Sequence, residues 1–197
     1  MKVLGIAGSP RRGGNTDLLL TEVMKGAASK GAETKTIVLD ELTFAYCQHC
    51  DSCLKTGKCK IKDDMQMIYQ ELEQSDVIVL ASPIQFMGIT AQMKAMIDRC
   101  QSLWARKYVL KIPPLGDRKP RKGFFIAVGG RKIPSVFEPS LVIVKTFFRI
   151  LDIAYAGELL FPGVDEKGAI TQNPEAMRQA FLAGQKLVDT HEEAPQA

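Results

Sequence analysis

Four of the five cysteines fall within thirteen residues, at Cys47, Cys50, Cys53 and Cys59, separated by two, two and five residues. Such spacing brings four thiols into one small volume. Thiolates held together repel one another and lose hydration, so the group calls for a cation or an oxidation partner. Three occupants compete. Zinc prefers two cysteine pairs separated by a longer insert, and here Cys50 would have to serve two adjacent short loops. A redox disulfide uses two thiols and leaves two unexplained. A [4Fe–4S] cube takes its thiolates from a short run, as in the Cys-x2-Cys-x2-Cys segment of bacterial ferredoxins, and Cys59 would complete the set. The spacing favours the cube, with zinc and free or disulfide-linked thiols as the alternatives. Cys100 stands apart at a helix end and reads as a small buried apolar residue. His49, between the candidate ligands, reads as a neutral neighbour rather than a ligand.

A second chemistry is carried by three loops. The first reads Gly8-Ser9-Pro10-Arg11-Arg12-Gly13-Gly14-Asn15-Thr16. Small residues let backbone N–H groups approach an oxyanion, Ser9, Asn15 and Thr16 offer side-chain donors, and the following helix presents its positive end. The loop lacks both the Gly-x-Gly-x-x-Gly fingerprint and the Gly-Lys-Ser/Thr of a nucleotide-hydrolysing loop; it suits one terminal phosphate. The second, Ala81-Ser82-Pro83-Ile84-Gln85-Phe86-Met87-Gly88-Ile89, offers Ile84, Phe86 and Met87 to a flat apolar ring and backbone amides with Gln85 to its polar edge. The third, Val128-Gly129-Gly130-Arg131, permits close backbone approach to the same ligand.

These loops need a frame that brings them to one edge. Strand-like apolar runs at 2–7, 34–39, 76–81, 122–128 and 154–160 alternate with helical patterns at 15–30, 63–74, 88–103, 139–152 and 173–190. In the first helix Leu18, Leu19, Val23 and Ala27 share a face and Gly31 is the stop. Residues 76–81 are apolar enough for a parallel strand covered on both sides. The alternation predicts an α/β fold, a doubly wound five-stranded parallel sheet with the flavodoxin-like order 2-1-3-4-5. Ligands of such sheets bind beyond the carboxyl ends of the strands, where the order reverses, which gathers the loops after strands one, three and four. Residues 1–190 are expected to form one domain carrying the cysteine-rich loop at 47–59, with 191–197 a flexible tail.

Charge and composition narrow the class. Hydrophobic residues make up 46% and charged residues 24%, as in a soluble globular protein, and a net charge of +4 implies neither a nucleic-acid nor a membrane partner. No apolar stretch reaches the roughly 20 residues of a membrane helix. The short apolar start lacks a cleavage pattern, so a cytoplasmic protein with reduced thiols is expected. With two histidines, and no Ser-His-Asp or paired-carboxylate constellation, hydrolase readings have little support. The segment 106–122 holds seven basic residues against Asp117; it reads as a solvated excursion, or as a docking patch for an acidic ferredoxin or a nicotinamide phosphate. Trp104, Met93 and Met96 read as core or subunit contacts.

Gly8-Ser9-Pro10-Arg11, Gly14-Asn15-Thr16, Ser82-Pro83-Ile84 and the run from Gly88-Ile89-Thr90-Ala91-Gln92-Met93 to Ile97-Asp98-Arg99 resemble the NADPH-dependent FMN reductase group. With the compact cysteine motif added, the chain resembles the iron–sulfur flavoproteins within that group. The resemblance runs from Met1 to about Thr190, with its specific motifs before residue 100. It implies FMN, with Ser9, Arg11, Asn15 and Thr16 on the phosphate, Pro83, Ile84, Gln85, Phe86 and Gly88 along the flavin, and Gly129 and Gly130 on its far side. Gln85 stands where many relatives carry an aromatic residue. The resemblance also implies a [4Fe–4S] cluster on Cys47, Cys50, Cys53 and Cys59. Electrons would come from a ferredoxin-like donor or NAD(P)H and reach a small acceptor such as a quinone or an oxygen species, with no protein acid–base group essential. A homodimer or homotetramer is implied, and because the cysteine loop follows an outer strand, each cluster is expected nearer a neighbouring subunit's flavin than its own. The rivals are a plain NAD(P)H-dependent FMN or quinone reductase with vacant thiols, and a zinc-binding scaffold without turnover.

Overall fold

Strands that are apolar on both sides need cover on both sides, and the alternating helices provide it. The computed structural model describes residues 1–189, so the expected tail at 191–197 lies outside the described residues. Strands β1 (Lys2–Ala7), β2 (Glu33–Val38), β3 (Val77–Pro83), β4 (Lys122–Gly129) and β5 (Ala154–Pro162) pair in parallel in the order β2-β1-β3-β4-β5. This is the doubly wound, flavodoxin-like order that the alternation predicts. Val3, Val77, Val79, Phe124 and Ile126 face helices α1 (Asn15–Ser29) and α7 (Pro174–Val188). Leu4, Ile6, Ile78, Leu80 and Phe125 face α3 (Met65–Gln74), α4 (Ala91–Arg99), α5 (Gln101–Tyr108) and α6 (Glu138–Ile150). No described helix is long and apolar enough to cross a membrane.

Three local features depart from the sequence pattern. The helix expected over 88–103 is two helices, α4 and α5, joined at Cys100. Thr90 caps α4 by accepting the Met93 N–H, and residues 88–90 belong to the preceding loop. A five-residue helix, α2 (Ser52–Thr56), sits inside the cysteine loop between left-handed Asp51 and Gly57, too short to leave a periodic signal. The basic segment after α5 is pinned rather than freely solvated. Arg121 is 3% exposed and donates to the carbonyls of Ser75, Glu73 and Leu115 and to Asp117, and Leu115 is buried. The segment leads into the amino end of β4, the edge of the sheet opposite the candidate ligand loops. A nicotinamide held there would lie on the wrong side of the sheet for those loops.

Helices α1 and α7 cross at two glycines. A Cβ at Gly26 would meet the Phe181 carbonyl oxygen at 1.9 Å, and one at Gly184 would meet that of Val23 at 1.9 Å. Backbone cannot yield as a flexible side chain does, so both positions demand glycine. Gly26→Ala is expected to cost about 3 kcal/mol, the upper end of overpacking penalties, read by urea denaturation; an unchanged midpoint would refute the close crossing.

Candidate functional site

The parallel order gathers the ends of β1, β3 and β4 into a cleft, closed on one side by the segment after β5. Ser9, Pro10, Arg11, Gly14, Asn15 and Thr16 from the first loop, Pro83, Ile84 and Gln85 from the second, and Val128, Gly130, Val164 and Asp165 line it. The loop after β1 folds on itself: the Arg11 N–H donates to Ser9 Oγ at 3.1 Å and the Gly14 N–H to the Arg11 carbonyl at 3.0 Å. A Cβ at Gly14 would meet that carbonyl at 2.8 Å, so only glycine fits. Buried Thr90 donates to the Gly8 carbonyl at 2.6 Å and receives the Met93 N–H, tying the β1 loop to the start of α4. Thr16, in the first turn of α1, is 1% exposed, and its hydroxyl has no hydrogen-bond partner. A buried hydroxyl without a partner costs free energy, and this one stands in the cleft beside the helix end that favours anions.

The expected residues divide. Ser9, Arg11, Asn15, Thr16, Pro83, Ile84, Gln85 and Gly130 line the cleft, whereas Phe86, Gly88 and Gly129 do not. Gly129 faces the protein instead, since a Cβ there would meet Val136 at 3.2 Å and Phe137 at 3.5 Å. Asn15 is partly committed: its amide donates to the Glu166 carbonyl at 2.9 Å and its oxygen accepts the Ile170 N–H at 3.1 Å. It anchors the segment after β5, which also brings Asp165 to the cleft, and the Arg11 guanidinium reaches the Asp165 carbonyl. Sequence reasoning missed Val164 and Asp165; the turn residues Gly163 and Gly168 were the available signal. Phe86 and Met87 form the tip of a tight hairpin closed by reciprocal bonds between Gln85 and Gly88 at 2.8 and 2.9 Å. Both have left-handed backbones, φ 47° and 66°, and the Phe86 ring is fully exposed. Such strain in bulky residues persists where the surroundings impose it, often at ligand sites.

The cysteines gather elsewhere. Cys47, Cys50, Cys53 and Cys59 line one cavity with Lys60, Arg99, Gln101 and Ser102. This cavity shares no lining residue with the cleft. Helix α4 starts at the cleft edge and runs back along the sheet, nine residues or about 13 Å, and the cysteines meet its far end. The root of their loop follows β2 as expected, but the thiols are carried down the flank. Arg99 holds the loop closed. Its buried guanidinium donates to Asp63 at 2.7 and 3.0 Å, to the Ala45 carbonyl at 2.7 Å and to Ile61 at 3.4 Å, while the Ala45 N–H also donates to Asp63. Both ends of the loop therefore hang on one ion pair. The Arg99 Nε–H is buried without a partner, in a side chain that lines the thiol cavity.

Electrostatics follow from this placement. Burial pushes the Cys53 thiol up, and the other three cysteines add to the shift. Hydrogen bonding from Ser52 pulls the exposed Cys50 thiol down, with Lys60 assisting. Cys100 is buried and its thiol is pushed well up, as expected of an inert core residue. Among the described residues, no group of three or more His, Cys, Asp or Glu is close enough to hold a single metal ion.

The profile of the family described as NADPH-dependent FMN reductase matches residues 1–134. An iron–sulfur flavoprotein of Archaeoglobus fulgidus is 39% identical over 197 residues, covering 98% of this chain and 81% of the relative. The chain belongs to the iron–sulfur flavoprotein branch of the NADPH-dependent FMN reductase family. Another Archaeoglobus fulgidus iron–sulfur flavoprotein is 40% identical over 131 residues, 66% of this chain, and the match spans 63% of that relative's length, under two thirds. Among solved structures, the NAD(P)H:quinone oxidoreductase of Methanothermobacter marburgensis superposes with a TM-score of 0.73 over 98% of both chains at 14% identity, a likeness of fold. The family profile's match, residues 1–134, contains both the β1 loop and all four clustered cysteines.

Two outcomes follow for this family member. Burial raises the Asp63 pKa, but hydrogen bonds from Arg99 and Ala45 outweigh it and hold the carboxyl below its usual range. A lowered folded-state value gives stability that is full above about pH 4 and lost as pH falls through the folded-state pKa. Asp63→Asn should therefore cost about 3 kcal/mol at neutral pH, and the deficit should shrink below about pH 4; a deficit independent of pH would refute the ion pair. Phe86→Asn removes a strained bulky residue whose side chain packs on nothing, and should raise stability by about 1 kcal/mol, read as a higher melting temperature.

Proposed function

We propose that this chain is a flavin-dependent oxidoreductase, an electron-transfer flavoprotein that holds FMN in the carboxyl-edge cleft and a [4Fe–4S] cluster on Cys47, Cys50, Cys53 and Cys59. The observation that carries the flavin reading is the buried, unpartnered Thr16 hydroxyl at the positive end of α1, inside a loop where Gly14 alone fits. Ser9, Arg11 and Thr16 would hold the phosphate, with Asn15 keeping the segment after β5 in place. Pro83, Ile84 and Gln85 would lie along the ring and Gly130 would let backbone approach it. Asp165, which lines the cleft, would accept hydrogen bonds from hydroxyls of the sugar-alcohol chain. What supports the cluster is the donor set: four thiols on one cavity, with Arg99 and Lys60 to offset thiolate charge, in a chain whose relatives are named iron–sulfur flavoproteins. When bound, the two groups supply two-electron and one-electron chemistry respectively. The electrons are proposed to come from a ferredoxin-like donor or NAD(P)H and to pass to a small acceptor, a quinone or an oxygen species.

Anaerobic purification with iron, sulfide, zinc and FMN analysis tests this. About four iron per chain with bound FMN is the expected result. FMN without metal would favour the plain reductase, and zinc without flavin would overturn the reading. Thr16→Val, near in volume, should weaken FMN binding about tenfold by leaving an oxyanion contact unmade, with the cysteine site unaffected; Cys53→Ala should abolish cluster absorbance and leave FMN bound.

A further inference from the structure

Lysines outnumber acids on the cysteine loop, although only Lys60, together with Asp51, lines the thiol cavity itself. Lys55, Lys58, Lys60 and Lys62 fall within eight residues of the cysteine loop, all four exposed. None of their amino groups has a hydrogen bond or an ion pair among the described residues, and the one electrostatic link is the pull of Lys60 on Cys50. The single acid between Tyr46 and Lys62 is Asp51. This differs from the longer basic segment after α5, where Arg106 pairs with Glu73, Lys107 with Asp152, Lys119 with Asp76 and Arg121 with Asp117. Lys122 there is taken up by the carbonyls of Leu187 and Asp189. That segment's charge is mostly neutralised locally; the cysteine loop's charge is free. Unpaired like charges at neighbouring positions repel; Lys60 is offset by its pull on Cys50, but Lys55, Lys58 and Lys62 have no partner among the described residues and are free to meet an acidic partner outside the fold.

The loop's other exposed groups fit the same use. Tyr46 is 72% exposed beside Cys47, a large flat side chain with a polar tip of the kind enriched at protein interfaces. Gly57, with φ 66°, lets Arg106 and Leu110 pack beneath α2, which fixes Lys55 and Lys58 at either end of that turn. Arg99 and Asp63 close the loop's base, so the lysines stand on a braced platform rather than a free strand. A single-stranded nucleic acid would call for interleaved aromatic side chains for stacking, and between residues 46 and 62 only Tyr46 is present.

We propose that the lysine rim of the cysteine loop, with Tyr46 beside it, is the docking surface for a small acidic electron-carrier protein. The proposal rests on the cysteine site being the chain's electron entry. Complementary charge steers the encounter and sets its salt dependence, and the carrier would lose one electron per encounter to this chain with no atom exchanged. The carrier docks on the cysteine loop, whose cavity shares no lining residue with the cleft, so a small acceptor can occupy that cleft while the donor is bound.

Calorimetric titration of the full-length protein with an oxidised, acidic two-cluster ferredoxin reads docking without turnover. At about 20 mM salt the triple variant Lys58→Glu, Lys60→Glu, Lys62→Glu should bind at least about tenfold more weakly than wild type, and the difference should collapse near 0.5 M salt, where screening is nearly complete. Lys111→Glu with Arg118→Glu, two exposed groups of the other basic segment, should bind as wild type does. The single variant Lys60→Ala, which reverses no charge, should give a smaller loss in the same direction. Equal binding by wild type and triple variant would overturn the proposal, as would no binding by wild type at low salt, or loss confined to the Lys111/Arg118 variant. Iron and FMN content, measured on the same preparations, decides the underlying functional reading separately.

Discussion

A charged guanidinium shielded from water must be paired, and in this protein that requirement shapes the whole cysteine region. Arg99 ends helix α4, its side chain is fully buried, and Asp63 receives it through two bonds. Burial pulls the guanidinium's pKa down, and the hydrogen bonds to Asp63 more than reverse that pull. Because Asp63 and the carbonyls of Ala45 and Ile61 lie on either side of the four cysteines, pairing this one charge also closes the loop that carries them. Tyr69 adds a further tie by donating to the Arg99 carbonyl at 2.7 Å. The thiols therefore owe their common cavity to a helix that belongs to the sheet's cover, not to contacts within their own loop.

The cleft follows a different logic. Its residues are spread from Ser9 to Asp165, and parallel strand order is what brings them together. Gly8, packed against Met93 and Thr90, and the capping hydroxyl of Thr90 bind the first loop to α4. The same helix is thus tied to the β1 loop through its N-cap and lines the thiol cavity with its last residue. The separation also leaves each site its own approach from solvent.

Much of this was legible from residue order. Gly-Ser-Pro followed by a helical pattern marks a strand-to-helix turn at a sheet edge because small residues and a helix end are local properties. Four cysteines in thirteen residues point to one shared cavity because a loop of that length can turn back on itself, and here all four line one cavity. The alternation of strands and helices is equally local, and it gives the sheet order once right-handed crossovers are assumed. Less legible were Asp165, about 150 residues from the loop it joins, and the surroundings of Gly129, which packs against Val136 and Phe137. The second basic segment misled for a related reason: charge counts do not reveal that Arg121 is buried among carbonyls.

The sequence alone determined the donor types, their spacing, and the sheet that carries them, since these depend on neighbours a few residues apart. The tertiary structure decided which donors meet. It set the thiols on the flank beyond α4 rather than beside the cleft, tied Asn15 to the segment after β5, and neutralised one basic run while leaving the lysines around the cysteines unpaired. Each of those outcomes depends on partners from distant elements, and charge pairing and burial are settled only when those elements pack.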